Sequence, residues 1–263
     1  MVRVGVFGAG GRMGSTVCAA VAGDPELELV AAVDPYHADI DLQQIGIADT
    51  GLHVSRNAEA LTDAGVEVAV DFTVLDAARE NLAWCAKNGV HAVVGTTGFT
   101  PADLDGFRCA FDESKANAVI APNFAIGAVL MMRFAELAAP YFESAEIIEL
   151  HHDLKIDAPS GTASLTAQRM AAASPDWGAD PTEKLVIEGV RGGEGPAGIR
   201  VHSVRLRGLV AHQEVLLGTT GQSLSIRHDS YDRESFMPGV LLAVKQVASR
   251  PGVTVGLDSL LGL

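Results

Sequence analysis

The sequence predicts an α/β protein, with an N-terminal Rossmann-type doubly wound parallel sheet and a second α+β domain carrying a mixed or antiparallel sheet. Three observations carry that prediction. Short β-branched runs alternate with helical patterns over the first ~120 residues, as βαβ units do. A glycine cluster, Gly8-Ala9-Gly10-Gly11-Arg12-Met13-Gly14, lies between the first strand and the first helix. From Leu185 onward the chain becomes strand-rich, with glycine-bearing turns.

In chain order, strands are expected at Val2–Phe7, Leu27–Val33, Val66–Asp71, His91–Val94 and Ala118–Ala121. Helices are expected between them at Arg12–Ala22, Asn57–Ala64, Leu75–Asn88 and Pro101–Ser114, with Gly65 and Gly89 as stop signals. The pattern changes near Asn123: a long helical stretch, Ile126–Tyr141, leads into a strand at Ala145–Leu150 and a helix at Ser160–Ala173. Strands then follow at Leu185–Glu188, Ile199–Arg207, Ala211–Leu217 and Ser223–His228. The run Gly192-Gly193-Glu194-Gly195-Pro196-Ala197-Gly198 reads as a mobile loop that covers a site. A last helix, Glu234–Ser249, stops before Pro251-Gly252, and the remaining residues return to the first domain. The expected division is therefore 1–123 with 233–263 for dinucleotide binding, and 124–232 for substrate binding and oligomerisation.

Composition narrows the function. A chain of 263 residues with 48% hydrophobic content can bury a full core. Its formal charge of −14 opposes non-specific binding to nucleic acid and to anionic membrane surfaces, which favours small-molecule chemistry. The opening residues run straight into a strand pattern without a signal peptide's apolar region, and no apolar run reaches the ~18–20 residues of a spanning helix. A cytoplasmic protein is expected. Cys18, Cys85 and Cys109 are too few and too scattered for a disulfide framework or a zinc site, and they read as reduced thiols.

The glycine turn lets a backbone approach a pyrophosphate, whose charge the N–H groups at the helix start stabilise. Its spacing is Gly8-x-x-Gly11-x-x-Gly14 rather than the strict dinucleotide fingerprint, because Met13 occupies that template's third glycine position. Asp34, at the end of the second strand, is placed to accept hydrogen bonds from ribose hydroxyls; Arg12 would offset its repulsion of a 2′-phosphate. The loops Gly95-Thr96-Thr97-Gly98 and Ala121-Pro122-Asn123-Phe124 follow strand ends and belong on the same rim, where open parallel sheets bind ligands.

The segment from Glu149 to Ala163 concentrates reactive groups. His151, His152 and Lys155 at a strand end can supply a general acid and cationic anchors, and Ser160-Gly161-Thr162 opens a helix whose start suits an anion. A dianionic substrate fits this set. A metal held by His151, His152 and Asp153 is disfavoured, because adjacent residues rarely aim at one ion and Lys155 would repel it.

With these residues in place, the chain resembles the dihydrodipicolinate reductase family, also described as 4-hydroxy-tetrahydrodipicolinate reductases, and its actinobacterial branch in particular. The resemblance runs over essentially the whole chain. It is carried by Val4–Gly14, Val94-Gly95-Thr96-Thr97-Gly98-Phe99, Ala121–Phe124 and Glu149–Ala163, together with Gly208–Glu214 and Arg227-His228-Asp229-Ser230. It implies NADH- or NADPH-dependent reduction of a cyclic dicarboxylate with loss of water, in lysine biosynthesis through diaminopimelate. It places the proton donor on His151, the polarising lysine on Lys155, and substrate-carboxylate contacts on His152, Gly161 and Thr162. Cofactor contacts fall on Gly8, Ala9, Gly10, Gly11, Arg12, Met13, Asp34, Gly95, Thr96, Thr97, Ala121, Pro122, Asn123 and Phe124. Pro35, where a basic residue would favour NADPH, leans the expectation toward NADH. A homotetramer joined through the second domain's sheet is also implied. Competing readings are another Rossmann amino-acid or semialdehyde dehydrogenase, and a non-catalytic nicotinamide sensor; the latter has no use for His151 and Lys155.

Overall fold

Four consecutive residues of the first strand, Val4 to Phe7, are buried, as expected of a strand covered by helices on both faces. The computed structural model describes residues 1–47 and 50–263. Its elements are β1 (Val2–Phe7), α1 (Arg12–Gly23), β2 (Leu27–Val33), α2 (Glu59–Asp63), β3 (Val68–Asp71), α3 (Leu75–Asn88), β4 (His91–Val94), α4 (Pro101–Asp112) and β5 (Ala118–Ile120). After these come α5 (Ile126–Ala138), β6 (Ser144–His151), α6 (Gly161–Ala173), β7 (Gly193–Glu194), β8 (Arg200–Arg205), β9 (Ala211–Thr219), β10 (Gln222–Ser230), α7 (Met237–Gln246) and β11 (Val253–Val255). Contacts divide the chain into two units, Met1–Phe124 with Phe236–Leu263, and Ala125–Ser235.

The first unit carries a six-stranded sheet in the order β11-β5-β4-β3-β1-β2, every pairing parallel. The order reverses at β1, whose neighbours are β2 and β3, and this places the topological switch point beside the glycine turn. Helix α3 buries Ala78, Leu82, Cys85 and Ala86, a helical stripe, and ends at Gly89 in the left-handed region. Helix α4 starts with a capping box between Thr100 and Asp103 and has Pro101 in its first turn. Residues after α7 do return to this unit: β11 pairs with β5, extending the sheet at that edge.

Some expected boundaries move. Strand β3 starts at Val68 because the Val66 N–H is taken by Leu61 O (2.9 Å), closing the turn after a short α2. The last helix starts at Met237, after a 3₁₀ turn at Arg233–Phe236; Pro238 has no N–H and is tolerated only in the first turn. Residues Val247–Ser249 finish it as another 3₁₀ turn.

The second unit carries a mixed sheet in the order β10-β9-β6-β8-β7, with β6 and β8 parallel and the other pairs antiparallel. Helices α5 and α6 supply Ala135, Ala163, Ala167 and Met170 to a core with Ile147, Val201, Val215 and Leu217 from the strands. The strand expected at Leu185–Glu188 does not form, and Leu185, Val186 and Ile187 are exposed. The free edge of β8 is taken by Gly193–Glu194 of β7. That corrects a second expectation, since the 192–198 stretch is not an irregular loop but an edge strand followed by a 3₁₀ turn.

Candidate active site

In the first unit the glycine turn is shaped by close approach. Gly8 has φ +70, its N–H donates to Val33 O (2.7 Å), and its carbonyl accepts from Gly11 N (2.9 Å). A Cβ on Gly14 would lie 1.9 Å from Gly8 O, so only glycine lets α1 start this close to the turn. Gly11 caps α1 without a side chain, which leaves its N-terminal face clear for an anion. Asp34 is 5% exposed. Its Oδ2 accepts from Gly10 N (3.1 Å) and lies 3.0 Å from His37 Nδ1, while Oδ1 accepts from Tyr36 N (2.9 Å). Gly8, Gly11 and Asp34 line one cavity of about 400 Å³ together with Tyr36, Arg56 and Thr73.

The other rim loops converge on the segment after β3. Thr73 packs against Gly8, and Thr96 Oγ1 donates to Thr73 O (2.8 Å). A Cβ on Gly95 would lie 2.0 Å from the Phe72 ring, whose other neighbour is Phe124 at 5.6 Å between centroids. Ala121 N donates to Val94 O (3.0 Å), and the Ala121 and Phe124 side chains are buried. The loops after β1, β2, β3, β4 and β5 thus share one rim. Asp71 holds the third in place: 3% exposed, it accepts from Thr73 N, Thr73 Oγ1 and Asn81 Nδ2, each at 2.7 Å. Burial pushes its carboxyl above the usual range, despite these bonds.

Several residues of this cavity escaped the sequence reading, among them Thr73 and Arg56. Thr73 follows a strand's carboxyl end, the rule that found the other loops, and Asp71-Phe72-Thr73 carried that signal. Arg56 carried none, since nothing local ties it to the glycine turn. Arg12, the cation named from sequence, is exposed and is not among the residues lining this cavity.

In the second unit β6 ends at His151, beside Arg205 on β8 and Ala211 on β9. His151 Nδ1 lies 2.5 Å from Oε2 of Glu149, which is fully buried. Burial pushes the Glu149 carboxyl up, but hydrogen bonds from Arg205, Ser203 and His151 outweigh it, and the net direction is down. An ionised Glu149 can only accept, so Nδ1 of His151 carries the proton and Nε2 is the nitrogen available for transfer. Burial holds the imidazole below its ordinary pKa, with Glu149 opposing and the Lys155 and Arg205 charges adding to the depression.

Lys155 follows in a turn, its N–H donating to His152 O (3.2 Å) and its ammonium to both Asp157 oxygens (2.7 and 2.8 Å). Ser160 then caps α6 by accepting from Ala163 N (3.1 Å), while its own N–H donates to Glu149 Oε1 (3.2 Å). His151 and the cap of α6 are thereby tied to one carboxylate, with the Lys155 charge acting on the His151 imidazole. The His152 side chain is not drawn into this network, since β6 has ended and it is exposed. Among the described residues, no group of three or more His, Cys, Asp or Glu side chains is arranged to hold a metal ion. No helix of these residues is long and apolar enough to cross a membrane. The arrangement can deliver a proton from an oriented imidazole next to an ammonium, in front of a helix start suited to an anion.

Two family models match the chain: "Dihydrodipicolinate reductase, N-terminus" over residues 2–124 and "Dihydrodipicolinate reductase, C-terminus" over residues 127–261. Among curated relatives, the 4-hydroxy-tetrahydrodipicolinate reductase of Nocardia farcinica is 53% identical, covering 100% of this chain and 99% of its own. The protein of the same name from Corynebacterium urealyticum is 48% identical, with both chains covered in full. A solved structure of dipicolinate-bound dihydrodipicolinate reductase from Paenisporosarcina sp. TG-14 superposes with a TM-score of 0.86 at 43% identity, covering 98% of this chain and 99% of that one. More distant structures, such as an amine dehydrogenase from Mycobacterium smegmatis (TM-score 0.60, 13% identity), share the fold alone.

Proposed function

The chain belongs to the dihydrodipicolinate reductase family, and from that membership we infer that it reduces 4-hydroxy-tetrahydrodipicolinate to tetrahydrodipicolinate with loss of water, in lysine biosynthesis. The observation in this molecule that carries the reading is the union of an oriented imidazole, an ammonium and a helix start around the end of β6. The Paenisporosarcina relative is described with dipicolinate bound, a planar ring dicarboxylate of the same class as the proposed substrate.

The glycine cradle fits a dinucleotide, because the approach of α1 to Gly8 leaves no room for side chains and its cavity also holds Asp34. Gly8 to Met13, Asp34, Gly95 to Thr97 and Ala121 to Phe124 are the residues that would hold it. When bound, the nicotinamide supplies the hydride; the protein's own part is to bind, orient and protonate. Lys155 stabilises negative charge developing beside the ring nitrogen and its carboxylate. His151 then delivers the Nε2 proton to the ring carbon adjoining the site of reduction, with Glu149 stabilising the charged imidazole beforehand. His152 and the N–H groups of Gly161 and Thr162 take the substrate carboxylates.

NADH is the proposed preference, since the Asp34 carboxylate repels a 2′-phosphate and Pro35 adds no countercharge. Exposed Leu185, Val186, Ile187, Val190 and Leu216 on the second unit support association of copies through it, as a homotetramer. A cytoplasmic location suits a biosynthetic reductase of this family. The roles at the second unit are tested by His151→Ala and Lys155→Met. Each is expected to lower kcat on the order of 10²- to 10³-fold in steady-state assays, the usual contribution of a positioned acid. Near-normal turnover of His151→Ala would remove it as the proton donor.

A further inference from the structure

The carboxylate that binds this cluster together takes no chemical step in the reaction proposed above. Glu149 lies within β6 at 0% exposure, a position where packing alone favours an apolar side chain. Besides the bond from Ser203, four hydrogen bonds tie its two oxygens to the site. Oε1 accepts from Ser160 N (3.2 Å) and Arg205 Nη2 (2.8 Å), and Oε2 accepts from Arg205 Nη1 (2.8 Å) and His151 Nδ1 (2.5 Å). Arg205 is itself fixed, donating to Val204 O (2.8 Å) and Asp157 O (2.6 Å). A single buried anion therefore touches the proposed proton donor and the cap of the helix proposed to hold the substrate, and through Arg205 it reaches the loop that carries Lys155.

We propose that Glu149 is a positioning residue of the reduction: it locks the His151 proton on Nδ1, leaving Nε2 to act, and ties that imidazole to the start of α6. The proposal rests on the reading of His151 as proton donor. Its physical basis is acceptor count. An ionised carboxylate satisfies all four donors, whereas the amide of glutamine has one oxygen and a pair of N–H donors. With glutamine at 149, either Arg205 faces an N–H group or His151 does. In the second case Nδ1 must become the acceptor, and the proton moves to Nε2. Removing the negative charge also withdraws the support that Glu149 gives to protonated His151, whose pKa burial already depresses. The alternative is a purely architectural role, in which Glu149 and Arg205 pin β6 to β8 without regard to His151.

The test is a double-mutant cycle of Glu149→Gln, His151→Ala and the double variant, assayed as full-length enzyme with kcat, KM and pH profiles. Glu149→Gln is expected to lower kcat on the order of 10²-fold with KM changed less than about threefold. The alkaline limb of its pH profile should move to lower pH. In the His151→Ala background the same change should cost less than about twofold, since the residue through which it acts is gone. An undiminished loss in that background overturns the proposal and assigns Glu149 to architecture. If His151→Ala itself turns over normally, it is the proton-donor reading that fails, a result distinct from the first. A measurement on the unaltered enzyme does not depend on any variant folding. Imidazole ¹⁵N shifts of neutral His151 should report the Nδ1–H tautomer, and an Nε2–H tautomer would overturn the proposal.

Discussion

Asp34 and Arg56 line the same cavity, so cofactor choice sets a carboxylate that repels a 2′-phosphate against a guanidinium that attracts one. Arg56→Ala is expected to weaken NADPH binding on the order of tenfold while leaving NADH within about twofold, as loss of one charged hydrogen bond does. Fluorescence titration of the two nucleotides checks this; equal weakening of both would place Arg56 outside the phosphate's reach. At this scale the sequence was legible where reactive residue types are neighbours in the chain. His151, Lys155, Gly161 and Thr162 lie within a dozen positions, and the glycine turn is continuous. It was not legible where the partner is distant: Arg205 stands 56 residues from Glu149, and nothing in the local pattern couples them. His152 shows the converse. Adjacent to His151 in sequence, it lies beyond the end of the strand and outside the hydrogen-bond network that holds its neighbour.

Elements set by local chemistry, such as β1, β2, α3 and β4, have the bounds their hydrophobic spacing and stop signals suggest. Those that need a tertiary partner were misread. Leu185–Glu188 has the composition of a strand but pairs with no sheet edge, while the glycine-rich Gly193–Glu194 pairs with β8. Helix α4 illustrates local control. Its capping box predicts that Thr100→Ala destabilises the fold by about 1 kcal/mol in thermal or denaturant melts. Asp103 serves both that box and a two-bond clamp from Arg79 on α3 (2.9 and 2.9 Å), and these hydrogen bonds, Arg79's first, hold its carboxyl well below the usual range. A group with a depressed folded pKa contributes stability above its unfolded value of about 3.9, and the contribution is lost as pH falls toward the folded one. Asp103→Asn should therefore lower Tm at neutral pH, and its deficit against the parent should narrow as pH drops below about 4. A deficit constant with pH would show that the clamp does not depend on charge.

For the molecule as a whole, the first unit is closed by residues far apart in the chain. Ala118 N donates to Gly252 O (2.8 Å), Gly256 N donates to Ile120 O (2.9 Å), and Leu257 is 1% exposed. Removing residues 252–263 exposes the edge of β5, and the truncated chain is expected to lose soluble yield and cooperative melting; a normal melt would show that β11 is dispensable. The fold class was legible because the glycine turn, the alternating elements and the later strand-rich stretch agree with one another. As a whole, the molecule reduces a cyclic dicarboxylate with a nicotinamide nucleotide. This activity is tested most directly by following NADH and NADPH oxidation by the purified protein while a dihydrodipicolinate synthase generates the substrate in place. Oxidation that depends on the synthase is expected, with NADH favoured. Binding of both nucleotides without synthase-dependent oxidation of either would contradict it.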